Sequence, residues 1–227
     1  MAFNCGVSFG ACLVRITKVD ANGNVIAGNN SYVTDKPLSV AVNPNIETGN
    51  TFSVRNGCGC SISRFKAPDT FNWFEFVFTQ AALEPTMLAF LLGQETITDP
   101  DLSGTPIVGL NFSSVTDCDD CEPAVAFEFW TQHIVGNSQD ANTPWIHWVF
   151  PRVIWQIGDN TFEEGIAQPV VNGFSRTNDL WGHGPYGDGP PDNQEVSEWA
   201  FWKTDETAMA EVRRDVVKMV LAKPPRP

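Results

Sequence analysis

The chain has 227 residues, 42% of them hydrophobic and 18% charged, with a net charge of −13. That is enough apolar material for a full core and excludes a disordered tail. The acidity excludes tight, wrapped nucleic-acid binding, which needs Lys and Arg to neutralise phosphates, but it suits a surface past which nucleic acid must move without sticking. Sixteen Phe and eight Trp against two Tyr point to an interaction protein, because such rings bury much area and Trp favours interfaces. One domain is expected, since no Gly/Ser-rich or Pro-rich linker divides the chain into balanced halves. No basic segment precedes an apolar stretch at the amino terminus, so no secretory signal is expected, and no apolar run is long enough to span a bilayer.

Residues 9–19 alternate as in a strand and end in Asp20-Ala-Asn-Gly23, a turn sequence. The stretch 22–50 is rich in Asn and Gly and reads as loops and edge strands, with one strand over 38–42; its functional alternative is an arm that orders only against a partner. Strands follow at 61–65 and 71–79, separated by Ala-Pro-Asp, and then a compact apolar helix over about 84–93. Pro85 suits the first helical turn, Met87, Leu88, Phe90, Leu91 and Leu92 supply the apolar run, and Gly93 stops it. This segment predicts a sheet with one helix laid on it.

A second loop-rich connection spans 99–123, with a short strand at 107–112. Three strong strand regions follow at 124–133, 145–157 and 161–175. The second is too long and too aromatic for one simple face, and Pro151 marks a bulge, bend or edge within it. Residues 180–193 form an irregular Gly/Pro loop, not a phosphate cradle, because no Gly-Lys-Ser/Thr follows. A last strand is expected over 196–203. From 204 a C-terminal extension begins, helical to about 222 with Thr204 as its cap and Met209, Val212, Val216, Met219 and Val220 at helical spacing, then Pro-rich; the end of that stretch also suits a strand.

Six cysteines occur, and Cys58, Cys60, Cys118 and Cys121 form the one metal-like constellation, a Cys-x-Cys and a Cys-x-x-Cys. The single intervening residue in the first pair and the carboxylates around the second speak against zinc, so reduced, partly buried thiols are expected and no metal or cofactor is assigned. His133 and His147 read as sheet residues with ordinary partners, and His183 as a loop residue. No catalytic motif stands out. The strongest enzyme alternative is a jelly-roll glycoside hydrolase with Glu75 and Glu128 as acid and nucleophile, which requires them on one concave face about 5–5.5 Å apart. A further rival is a monomeric carbohydrate-binding or receptor-binding β-sandwich that exposes Trp145, Trp148 and Trp155 as a sugar platform.

Several runs resemble one known family. Arg15-Ile-Thr-Lys-Val-Asp, Asn56-Gly-Cys-Gly, Lys66-Ala-Pro-Asp-Thr and Glu84-Pro-Thr-Met-Leu-Ala-Phe-Leu-Leu-Gly-Gln, then Phe127-Glu-Phe-Trp, Trp148-Val-Phe-Pro-Arg152 and Trp181-Gly-His-Gly-Pro-Tyr186, are similar to the major tail protein, or tail tube protein, of long-tailed, non-contractile bacteriophages of actinobacterial hosts. The resemblance covers most of residues 12–203 and fades over the terminal 20 or so. It implies a mainly β protein, a sandwich or small barrel with one flanking helix, assembled as hexameric rings stacked into a tube in the virion. It also implies a structural and non-enzymatic role as an acidic-lumen conduit for DNA ejection. The implied partners are other copies of the chain, the tape measure and tail terminator proteins, and double-stranded DNA passing non-specifically. A membrane is not among them.

Overall fold

The computed structural model describes residues 7–26, 30–99, 107–112, 123–159, 168–191 and 194–221, the last segment with side chains to residue 214. The chain is mainly β, as the sequence predicts. A nine-stranded antiparallel sheet runs β2 (Ser31–Thr34), β1 (Val7–Val19), β9 (Ala124–Val135), β11 (Trp145–Ile157), β12 (Val170–Ser175), β6 (Thr70–Gln80) and β3 (Pro37–Glu47). Two short strands add to it, β10 (Ser138–Gln139) beside β9 and β13 (Ala200–Thr204) beside β11. The sheet curls until β3 approaches β1, so it forms a barrel whose seam has no ladder of hydrogen bonds.

The inner face is lined by Val14 and Ile16 of β1, Phe76 and Phe78 of β6, Phe127 and Phe129 of β9, Phe150, Val153 and Trp155 of β11, and Val171 of β12. Rings at one level meet edge to face, as in Phe76 against Phe150, 4.8 Å between centroids, and Phe127 against Trp155, 4.9 Å. That geometry sets a positive ring edge against a negative face and adds to the area burial. Helix α1 (Pro85–Leu92) packs Met87, Leu88, Leu91 and Leu92 into the same core. Pro85 occupies its first turn, and Gly93 ends it in the left-handed region at φ 62°, where a Cβ would also strike Pro123.

Pro151 is the bulge that the sequence indicates. Phe150 pairs Phe127 and Val153 pairs Val125, so β11 holds one residue more than β9 between these pairs. The extra residue inverts the facing of the strand: Trp148 and Phe150 point inward before it, Val153 and Trp155 after it. The inversion explains how 13 residues can be so aromatic throughout. It also moves β11 from one neighbour to another, with Trp145 to Val149 pairing β13 and Val153 to Ile157 pairing β12.

The outer face of β1, β9 and the first half of β11 is covered by described residues between 178 and 212, among them Trp181, Tyr186, Val196 and Met209. Helix α2 (Glu206–Leu221) buries Met209 and Val212 against Leu13, Val33, Trp130 and Trp145. Its cap is Asp205, whose Oδ1 accepts the Ala208 N–H at 2.9 Å, and not Thr204, which ends β13. The start of the C-terminal extension is thereby packed on the body through Met209 and Val212.

Three expectations need correction. The edge strands expected within 22–50 are present but longer than the 38–42 strand alone: β2 pairs β1, and β3 pairs β6 from Pro37 to Glu47, at the two ends of the sheet. The strand predicted over 61–65 is not in the main sheet; as β5 (Ser61–Lys66) it pairs β4 (Thr51–Arg55) in a sheet of two. The short strand expected at 107–112 is present as β8 (Ile107–Asn111), which pairs β7 (Glu95–Thr98) beside α1. The last strand starts at Ala200, not at 196, since Val196 caps the outer cluster with Trp181 from a loop. The first part of the strand expected over 161–175, most of the 99–123 connection and the Pro-rich tail lie outside the described residues.

Candidate assembly interface

β3 and β6 do not end where the barrel ends; after a pinch they continue as the β4–β5 arm. Gly49 makes the pinch possible, since a Cβ there would sit 2.1 Å from the Ala67 carbonyl oxygen. The Gly49 N–H donates to Asp69 Oδ1 at 2.9 Å, the Ala67 N–H to the Asn50 carbonyl at 2.9 Å, and Lys66 pairs with Asp69 at 2.8 Å. Beyond this base every residue of both strands is exposed. Five paired residues carry the arm about 17 Å outward before its turn.

The arm is amphipathic. Phe52 stands opposite Phe65 and Val54 opposite Ser63, which places an apolar stripe on one face. The opposite face holds Thr51 against Lys66 and Ser53 against Arg64, with Ile62, 67% exposed, at the irregularity of β5 beside them. Phe52, Val54 and Phe65 are each 59–60% exposed, with no core of their own chain to cover them. Residues 51–66 contain Arg55, Arg64 and Lys66 and no carboxylate, in a chain of net charge −13. A two-stranded ribbon with an uncovered apolar face is marginal in water, so its own contacts do not account for it.

Two of the recesses on the body bear on assembly. One is an apolar groove of about 340 Å³ between α1, β8 and β12, lined among others by Leu88, Leu92, Leu110, Phe112 and Val170. The other is an open depression of about 620 Å³ on the outer face of β3, β6 and β12, where that face is not overlaid. Its lining is mainly amide and aromatic: Asn43, Trp73, Gln156, Asn172 and Phe174, with Glu75 and Arg176 as its charged members. Asn45 Nδ2 donates to Glu75 Oε1 at 2.8 Å, and the Arg176 guanidinium lies 5.1 Å from the Phe174 ring centre.

The overlaid half of the outer face holds a buried ionic clasp. Arg15 Nε donates to Glu128 Oε1 at 3.0 Å and Nη2 donates to the other oxygen of the same carboxylate, a two-point fit to β9. Nη2 also donates to Asp188 Oδ1 at 3.0 Å, in the Gly/Pro loop. The guanidinium is sandwiched between Trp130 and Tyr186, at 5.1 and 3.6 Å from their ring centres. Tyr186 is held in turn by a 2.8 Å hydrogen bond between its hydroxyl and that of Thr17. The clasp therefore ties the loop to the barrel.

Burial would raise the Glu128 carboxyl, but Arg15 beside it and the hydrogen bond from His147 outweigh that and hold it at about 2. Burial depresses His147 despite the opposing pull of Glu128. A carboxylate only accepts, so His147 Nε2 carries the proton and donates to Glu128 Oε2 at 3.0 Å, while Nδ1 is buried without a partner. The ring stacks on Trp130 at 4.1 Å and meets Trp202 edge-on at 4.5 Å.

These positions overturn the two rival sites. Glu75 and Glu128 are three strands apart in the order β9, β11, β12, β6, about 14 Å across the sheet. One is exposed on an open face and the other is only 1% exposed beneath the loop, so they do not form an acid and nucleophile pair. Trp145 and Trp155 are 5% and 3% exposed, and Trp148 is stacked between Phe129 and Phe201, so the expected sugar platform is not formed. His133 is a buried sheet residue whose Nδ1 faces the Thr143 carbonyl at 2.9 Å, and His183 is an exposed loop residue with Nδ1 3.0 Å from the Gln194 carbonyl, as read.

Cys58 and Cys60 are exposed at the arm tip, contrary to the expected partial burial, and Cys12 is half-buried. Cys118 and Cys121 lie outside the described residues, and among the described residues no group of three or more His, Cys, Asp or Glu could hold a metal ion. Arg15, Asp188 and the arm strand β4 escaped sequence reasoning as functional elements. A carboxylate inside Ala-Val-Ala-Phe-Glu-Phe-Trp was the available hint of a buried partner. No protein-family model matches the chain, and no curated protein matches it.

Proposed function

We propose that the protein is a self-assembling structural subunit of the tail tube type, and that the arm is the element that joins one copy to the next. The observation that carries this reading is the arm itself: an apolar stripe and three cations on a projecting ribbon, attached to a body that is strongly acidic overall. Such a ribbon becomes stable when its apolar face is covered, and an acidic second copy offers both the area and the opposite charge. The arm meets a different surface on its partner, so the contact is head-to-tail, and head-to-tail contacts close into rings or propagate as filaments. The unladdered seam between β1 and β3 leaves further strand edges for neighbouring copies.

The acidic balance and the amide-rich open face then suit a conduit past which double-stranded DNA slides without binding. The function is mechanical, with tape measure and terminator proteins as further contacts in a virion. Negative-stain electron microscopy of the purified full-length protein over a concentration series tests the proposal. Hollow tubes or stacked rings are expected at high concentration; monodisperse monomers throughout, with or without an assembly initiator, overturn it.

A further inference from the structure

The arm ends in Asn56-Gly57-Cys58-Gly59-Cys60, and this turn is a built feature. The Asn56 side-chain oxygen accepts the N–H groups of both Cys58, at 3.1 Å, and Cys60, at 2.9 Å. The Asn56 N–H donates to the Cys60 carbonyl and the Gly59 N–H to the Asn56 carbonyl, each at 2.9 Å. Gly59 takes φ 80°, which allows the chain to turn between the two cysteines. Both thiols are exposed and unbridged, so no packing role accounts for either.

We propose that this tip is a reversible dithiol site, at which Cys58 and Cys60 close to an intramolecular disulfide by exchange with a small organic disulfide. Spacing permits it: Cα atoms two residues apart are separated by at most about 7 Å, overlapping the 4.4–6.8 Å span that a disulfide bridges. Room permits it too, because a Cβ added at Gly57 or Gly59 would meet nothing within 4 Å, so the turn can adjust without striking the body. The ring would be small and exposed, and exposed or strained disulfides are the readily reduced ones. The site is thus reversible where a buried structural bridge is not.

In the first step one thiol loses its proton and its sulfur attacks the small disulfide, forming a mixed disulfide and releasing one thiolate. The second thiol then loses its proton and attacks the protein-bound sulfur, which forms the Cys58–Cys60 bond and releases the second thiolate. The two protons lost are taken up by the two released thiolates. The protein dithiol is oxidised by two electrons and the small disulfide is reduced to two thiols. The inference does not rest on the tube reading, since it concerns the free subunit as well as an assembly.

The test uses the reduced full-length protein equilibrated anaerobically with mixtures of oxidised and reduced glutathione, quenched with a maleimide and digested with trypsin. Arg55 and Arg64 border a peptide of residues 56–64 that contains Cys58 and Cys60 and no other cysteine. The expected product is this peptide lighter by two hydrogens and free of maleimide, returning to two maleimides in excess reduced glutathione. Cys58→Ser and Cys60→Ser, both exposed substitutions, should carry glutathione on the remaining thiol at about tenfold lower occupancy in the same buffer, for want of an intramolecular partner. Two maleimides or two glutathiones on the peptide across the whole series would overturn the proposal. So would a main product in which the peptide is joined to another cysteine of the same or a second chain.

Discussion

The body and the arm invert the usual placement of charge and hydrophobe. Under the Gly/Pro loop, an arginine, two carboxylates and a histidine are packed among Trp130, Tyr186 and Trp202 with almost no solvent contact. On the arm, phenylalanines and a valine stand in water and the cations lie on the opposite face. The difference lies in what each region has for a partner. The charges of the clasp find their partners within one chain, so their cost of burial is met locally; the apolar stripe of the arm finds none, so its stability is tied to something outside the chain.

Substituting Arg15 breaks that comparison most severely. Arg15→Met leaves Glu128 and Asp188 buried without their cation, an arrangement that typically costs about 3–5 kcal/mol. For a chain of this length the melting temperature should fall by roughly 10 °C in a thermal scan. The triple change Arg15→Met, Glu128→Gln and Asp188→Asn removes the uncompensated charges together and should recover about half of the loss. Recovery separates a penalty for unpaired charge from a loss of packing around the guanidinium.

Acid acts on the same groups without mutation. Glu128 is held at about 2 in the folded protein, below its ordinary 4.5, so the unfolded chain binds its proton first. Stability from this group is full above about pH 4.5 and is lost as pH falls toward 2, on the order of 3 kcal/mol in all. His147 is also depressed, so the unfolded chain takes up that proton below the ordinary 6.5 while the folded one resists. Its share of the loss therefore begins higher, as pH falls through 6.5. Urea unfolding at a series of pH values should show both onsets, and His147→Phe should remove the upper one and keep the lower, moved to somewhat higher pH because Glu128 loses the hydrogen bond from His147.

Much of the body was legible because it obeys short-range rules. Pro85 and Gly93 bracket α1, alternation marks β1 and β9, and Pro151 in an over-long aromatic strand marks the bulge. The clasp was not legible in the same way. Arg15 and Glu128 are 113 residues apart in sequence, and Arg15 and Asp188 are 173 apart, so only the curl of the sheet and the return of the C-terminal segment bring them together. Glu128 alternates with Phe127 and Phe129, which implies two differently solvated faces; the polar face turned out to be covered. The arm was half legible: its second strand shows in the sequence, but Thr51-Phe-Ser-Val-Arg55 follows an Asn/Gly-rich stretch and lacks a long pattern.

A neutral-sized test lies where body and loop are sutured by one side chain. Asn178 Nδ2 donates to the Gly23 carbonyl at 2.8 Å and to the Pro151 carbonyl at 3.2 Å, and its Oδ1 accepts the Leu180 N–H at 3.1 Å. It thereby ties the first turn, the bulge and the loop together while only 3% exposed. Asn178→Ala should cost about 1–3 kcal/mol, the range for leaving buried polar groups unpaired. Chemical denaturation would show the loss as a lower midpoint with unchanged slope.

The smallest effect on the folded subunit should come from the arm, and it is the one that decides what the arm is for. Phe52→Ser with Phe65→Ser removes both rings of the apolar stripe from a ribbon that buries nothing in its own chain, so the change in monomer stability should stay within about 0.5 kcal/mol. The same variant should fail to form tubes or rings, since it loses the surface a second copy would cover. Arg55→Glu with Arg64→Glu and Lys66→Glu should weaken assembly as well, but in a way that added salt narrows by weakening the wild type, because those contacts are charge attraction. If the stripe variant assembled like the wild type with its melting temperature unchanged, the arm would be a dispensable ornament of the monomer, and the joining role would pass to the seam edges of β1 and β3. If it melted several degrees lower, the arm would be packed on its own body in solution, and the contrast between a self-sufficient clasp and a partner-seeking ribbon would be lost.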